Sequence, residues 1–136
     1  MTILVNIDVH NLAKGIEFYT KALNMKLLRL IDEDVAELER GSDRFYLLQK
    51  KEYTPYMHSG DQYRNYTRHW TPVHIDFVVD DLEEAMRLAM DAGALRECDC
   101  IEWRGSKCVT FADPFGHGFC LIEFSGNSYE GDSLHY

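Results

Sequence analysis

Apolar and polar residues alternate from position 3 to 9, placing Val5, Ile7 and Val9 on one face and Leu4, Asn6 and Asp8 on the other. A period of two predicts a half-buried strand. The period then becomes helical: Leu12, Ile16, Tyr19 and Leu23 recur behind Asn11, a residue type that suits a helix N-cap. Gly15 weakens this helix slightly, and Asn24 can take the left-handed conformation that ends it. Three strands are predicted at 26–31, 35–39 and 44–50, with turns at Asp32-Glu33-Asp34 and Gly41-Ser42-Asp43.

The same order returns half a chain later. Val73, Ile75, Phe77 and Val79 form the apolar face of a strand whose other face carries His74, Asp76 and Val78. Asp81 caps the next helix, Glu84 completes a capping-box-like start, and Gly93 ends it. Strands at 95–103, 107–112 and 118–124 follow, with turns at Arg104-Gly105-Ser106 and Asp113-Pro114-Phe115-Gly116. Superposing Leu12 on Leu82 sets an offset of 82 − 12 = 70. The expected organisation is one domain over 1–136: a β-α-β-β-β module at 2–50, a linker at 51–71, a second module at 72–125 and a polar tail at 126–136. The linker is rich in aromatics (Tyr53, Tyr56, Tyr63, Tyr66, Trp70), which argues against disorder. Either it packs its rings on the body or on a partner subunit, or it forms a wall over a ligand site.

Composition narrows the function classes. A net charge of −9 opposes nucleic acid and anionic membranes, both of which select basic surfaces. No apolar run reaches the roughly 20 residues of a spanning helix. The segment MTILVNIDVH lacks a secretory pattern, so the expected location is cytoplasmic. Cys98, Cys100, Cys108 and Cys120 show no CxxC spacing, and the expectation is four reduced, buried thiols without structural zinc.

Ile16-Glu17-Phe18-Tyr19, the strand from Val73 into Asp80-Asp81-Leu82, and the Asp113–Phe124 turn and strand together resemble the glyoxalase/bleomycin-resistance/extradiol-dioxygenase superfamily, the vicinal oxygen chelate proteins. The resemblance implies an α+β fold, two tandem βαβββ modules forming curved mixed sheets around a cleft, and a homodimer. In metal-dependent members the modules cup a divalent ion. The ligand positions carry over to Leu4 and His74 on the first strands, and to Leu47 and Cys120 on the last. Only His74 is an ordinary ligand for such an ion. Three protein ligands are the usual need of a catalytic site, so no metal cofactor is expected; if one binds, His74 holds it.

Alternation supplies a separate argument. With Val5, Ile7 and Val9 packed on the helices, Asn6, Asp8, His74 and Asp76 share the opposite faces of two equivalent strands. Three readings fit this cluster: a hydrogen-bonded polar network, a binding site for a small organic molecule, or catalysis. The binding reading takes Trp70, Trp103, Phe45 and Gln49 as walls and Cys120 as a further cleft residue. The catalytic one uses His74 as a base, an atypical metal at His74 with Asp8 or Asp76, or Cys120 as a nucleophile. His10, His58, His117 and His135 read as surface residues. The leading expectation is metal-independent binding of a small organic molecule, aromatic ones included, neutral or cationic to suit the acidic chain. The alternative is a metal-dependent lyase, isomerase or dioxygenase, so whether the chain is an enzyme stays open.

Overall fold

Residues 1–58 and 60–134 are described by the structure, a computed structural model, so His135 lies outside it. The first half runs β1 (Leu4–Val9), α1 (Leu12–Ala22), β2 (Lys26–Asp32), β3 (Val35–Arg40) and β4 (Asp43–Gln49). The second runs β5 (Ile75–Val78), α2 (Leu82–Asp91), β6 (Leu95–Arg96), β7 (Ile101–Trp103), β8 (Ser106–Ala112) and β9 (Gly118–Phe124). Each half makes one mixed sheet, ordered β1-β4-β3-β2 and β5-β9-β8-β6, with β7 also on β8. In both, the first strand pairs in parallel with the last, and the others are antiparallel.

The period-two pattern decides which face is buried. Val9, Ala36, Leu38, Phe45 and Leu47 of the first sheet join Phe77, Val109, Phe111, Phe119 and Leu121 of the second in one hydrophobic cluster, together with Phe18 and Tyr19 of α1 and Leu82 and Ala89 of α2. The Phe45 and Phe77 rings lie 6.0 Å apart, and Phe18 meets Phe119 edge-on. Burial of this apolar surface is the main force joining the halves. Gly15 has a packing role. A Cβ there would sit 3.3 Å from Leu47 and Val9, so its absence lets α1 lie close on the sheet.

Three expectations need correction. Val73 is 86% exposed and outside β5, because the strand starts at Ile75. The strand expected at 95–103 is two short ones: the Cys98 thiol takes the Thr110 N–H, so a side chain replaces a ladder partner there. Of the four thiols, which form no disulfide, Cys120 alone is buried and Cys100 is exposed. Asn24 does adopt the left-handed conformation, at φ 53°. No helix among the described residues is long and apolar enough to cross a membrane.

The linker forms a hairpin-like loop followed by a strap. Tyr53 and Tyr56 N–H donate to the Arg64 and Gln62 carbonyls, and Arg64 N–H donates to Thr54. Tyr66 then packs against the His10 and His117 rings, while Tyr53, Tyr56 and Tyr63 stay exposed.

Candidate functional site

A cleft of about 840 Å³ lies between β1, β5, the linker and the Gly116–Phe119 turn. Asn6, Asp8 and His74 line it, together with Val5, Ile7, Ile75 and Phe77 from the opposite faces of the same segments. The linker adds Tyr56, Arg64 and His69; the turn adds His117. Arg64 Nε donates to Asp8 Oδ2 at 2.8 Å, an ion pair whose side chains are mostly buried. His117 Nε2 donates to the Asp8 carbonyl oxygen at 2.6 Å, tying the second half's turn to the first half's strand. At the inner side, the Tyr19 hydroxyl donates to buried Asp113, and burial followed by the Asp113 charge holds that phenol well above its ordinary value. Asp113 is fully engaged, its other oxygen accepting the Phe115 and His117 N–H groups at 2.8 Å.

Beside the cleft, His74 Nε2 lies 3.2 Å from Asp76 Oδ1, and the Trp70 ring packs on the imidazole with centroids 4.6 Å apart. Trp70 lies where it does because residue 118 is glycine. A Cβ there would come within 2.6 Å of the indole and 2.5 Å of Arg68 Nη2. Arg68 in turn pairs with Glu97 at 2.6 Å and stands over the Trp70 ring, 5.3 Å from its centroid. Asp76 is opposite Cys120 in the β5–β9 pairing, and the donor atoms of His74, Asp76 and Cys120 fall within 4.8 Å of one another. Burial pushes the Cys120 thiol up, against the lowering effect of its hydrogen bond with Thr110.

These residues do not fit an ion cupped by both modules. Strand pairing identifies the counterparts: Asn6 faces Tyr46 as Asp76 faces Cys120, so the first-module equivalent of Cys120 is Tyr46, at an offset of 120 − 46 = 74. The expected position, Leu47, is one residue off and fully buried in the core. Leu4 has no donor atom, and the Tyr46 hydroxyl is bound to Glu37 Oε2 at 2.5 Å. The donors that do cluster among the described residues, His74, Asp76 and Cys120, all come from the second half.

Three expected wall residues lie elsewhere. Phe45 is 4% exposed in the core, since it shares the helix-facing side of β4 with Leu47. Gln49 is on that same face, and its Oε1 accepts the Leu12 N–H at the start of α1. Trp103 packs on Tyr129 and lines a separate pocket of about 390 Å³ at the β7–β8 turn. Conversely, the cleft takes Arg64 and His69 from the linker, where no period marks them, and His117, which the sequence reads as a surface residue. A pair 56 positions apart, as Asp8 and Arg64 are, leaves no periodic trace.

Known proteins locate this arrangement. A family model described as a glyoxalase-like domain matches residues 4–122. Among solved structures, the fosfomycin resistance protein FosX from Listeria monocytogenes superposes with a TM-score of 0.70 at 14% identity, covering 92% of this chain and 93% of that one. A glyoxalase/bleomycin resistance protein/dioxygenase from Nocardioides gives 0.66 at 15% identity over 98% and 89%. A lactoylglutathione lyase from Agrobacterium tumefaciens gives 0.63 at 15% over 90% and 92%. At these identities the likeness is one of fold. No curated protein matches the chain significantly.

Proposed function

The chain belongs to the glyoxalase-like domain family of the vicinal oxygen chelate superfamily, and from that premise we propose that it binds a small organic molecule in the inter-module cleft without a metal ion. The supporting observation is the cleft itself. Its volume of about 840 Å³ suits a small organic ligand, and its lining mixes apolar side chains with a few polar ones from both halves. The lack of donors at Leu4 and the engagement of Tyr46 remove half of the family's ion cup. Exposed Val78, Ile101 and Trp103 on the second sheet suit pairing with a second copy, and a homodimer is part of the proposal.

A second reading is favoured by the His74, Asp76 and Cys120 group. An imidazole, a carboxylate and a thiolate suit zinc better than the harder divalent ions. These side chains would hold the ion on one sheet, where it would polarise a carbonyl or a water molecule.

The readings separate on one experiment. Untagged protein, before and after chelator treatment, is screened with small aromatic and aliphatic compounds by ligand-observed NMR, with metal content measured in parallel. The proposal expects binding that survives chelation, is lost in His74→Ala and persists in Cys120→Ser. Binding that disappears with the chelator, returns with zinc and fails in Cys120→Ser would establish the metal reading instead.

A further inference from the structure

We propose that the cleft takes an organic anion, a carboxylate on an apolar or aromatic body, with Arg64 as the charge anchor. This rests on the cleft being the ligand site. The chain as a whole is acidic, yet among the described residues Asp8 is the only acidic one to line the cleft, beside Arg64, His69, His74 and His117. Asp8 is already neutralised by Arg64 at 2.8 Å. The neighbouring carboxylate, Asp76, faces His74 Nε2 at 3.2 Å. A cationic ligand would therefore meet a guanidinium and find no free carboxylate in the wall.

Arg64 also has capacity left. Its Nε donates to Asp8, and its Nη1 donates to Thr54 Oγ1 at 3.3 Å and to the Pro55 carbonyl at 2.7 Å. Nη2 makes no hydrogen bond among the described residues, leaving it free to donate to a carboxylate oxygen of a ligand. These contacts hold the guanidinium in place, so little side-chain entropy remains to be lost on binding. His69 is oriented as well: its Nδ1 donates to the Thr67 carbonyl at 2.9 Å, which makes Nε2 of the neutral ring an acceptor for a hydroxyl or N–H on the ligand body. Val5, Ile7, Ile75 and Phe77 supply the apolar part of the lining. A neutral ligand would desolvate the arginine without replacing its water, which is why charge discriminates here.

The test compares matched series on the whole chain: phenylacetate and hexanoate, their primary amides, and the corresponding amines, by calorimetry and chemical-shift mapping. The acid should bind at least about tenfold tighter than its amide, the ratio a charge-assisted hydrogen bond supports, with the amine weakest. Arg64→Gln should erase the difference between acid and amide, while Arg64→Lys keeps part of it. Because Arg64 also braces the hairpin, Asp8→Asn serves as the second variant; it removes the competing carboxylate, keeps the guanidinium, and should strengthen acid binding. Amides or amines that map to the cleft and bind as tightly as the acids would overturn the anion assignment while leaving the cleft a ligand site. Weaker acid binding in Asp8→Asn with the Arg64 side-chain resonances unmoved would overturn it too. If no compound of any class perturbs the cleft resonances, both the assignment and the binding function fail.

Discussion

A phenol packed against a carboxylate, as Tyr19 is against Asp113, must stay protonated for the core to remain closed. Tyr19 is held well above its ordinary value of 10.0 by burial and then by the Asp113 charge. Burial likewise pushes Tyr66 up to about 12, and the Cys108 thiol from 9.0 to about 12. For each group the unfolded chain releases its proton first. The stabilisation is complete below the unfolded value and is lost as pH rises through the folded one. Unfolding by denaturant at stepped pH should therefore show stability falling from about pH 9 upward, and Tyr19→Phe should flatten part of that fall above pH 10. A midpoint independent of pH between 9 and 12 would contradict it. Residue-level chemistry was legible in the sequence where alternation fixed a face. The places of Asn6, Asp8 and His74 along the cleft follow from it, whereas the sequence sets Leu47 where Tyr46 stands because the offset between halves grows from 70 on the first strands to 74 on the last.

Helix starts show the duplication at the level of elements. Gln49 Oε1 accepts the Leu12 N–H at 2.8 Å and Glu123 Oε1 accepts the Leu82 N–H at 3.0 Å, so the end of each last strand covers the first turn of its own module's helix. Asn11 and Asp81 add side-chain caps to the Lys14 and Glu84 N–H groups. Gln49→Ala and Glu123→Ala should each cost about 1 kcal/mol in chemical denaturation, the glutamate more because its charge also meets the helix dipole. Gln49→Ala should leave ligand binding unchanged; a large loss of binding would return Gln49 to the cleft wall. Element types were readable because apolar periods of 2 and 3.6 differ, and β9 falls at its expected bounds. The break between β6 and β7 was not, since it depends on a thiol 12 positions from the N–H it accepts.

Across the whole molecule, the repeat made the architecture readable, while the cleft depends on contacts that no local pattern announces. Arg64, Tyr66 and Trp70 reach β1, His10 and His74 from a segment without a period. That segment also determines how the chain should behave when cut. Its hairpin is tied on the approach and on the return, Pro55 bridging Tyr63 and Arg64 holding both Thr54 and Asp8. Limited proteolysis at 57–61 would leave each fragment with one module, sharing a core that neither can close alone. The nicked protein should run as one species in gel filtration and come apart only in denaturant, and the two fragments, produced separately, should reassemble on mixing. A tandem duplication whose halves remain separable in this way would make the chain a split reporter, its reassembly read through occupancy of the cleft.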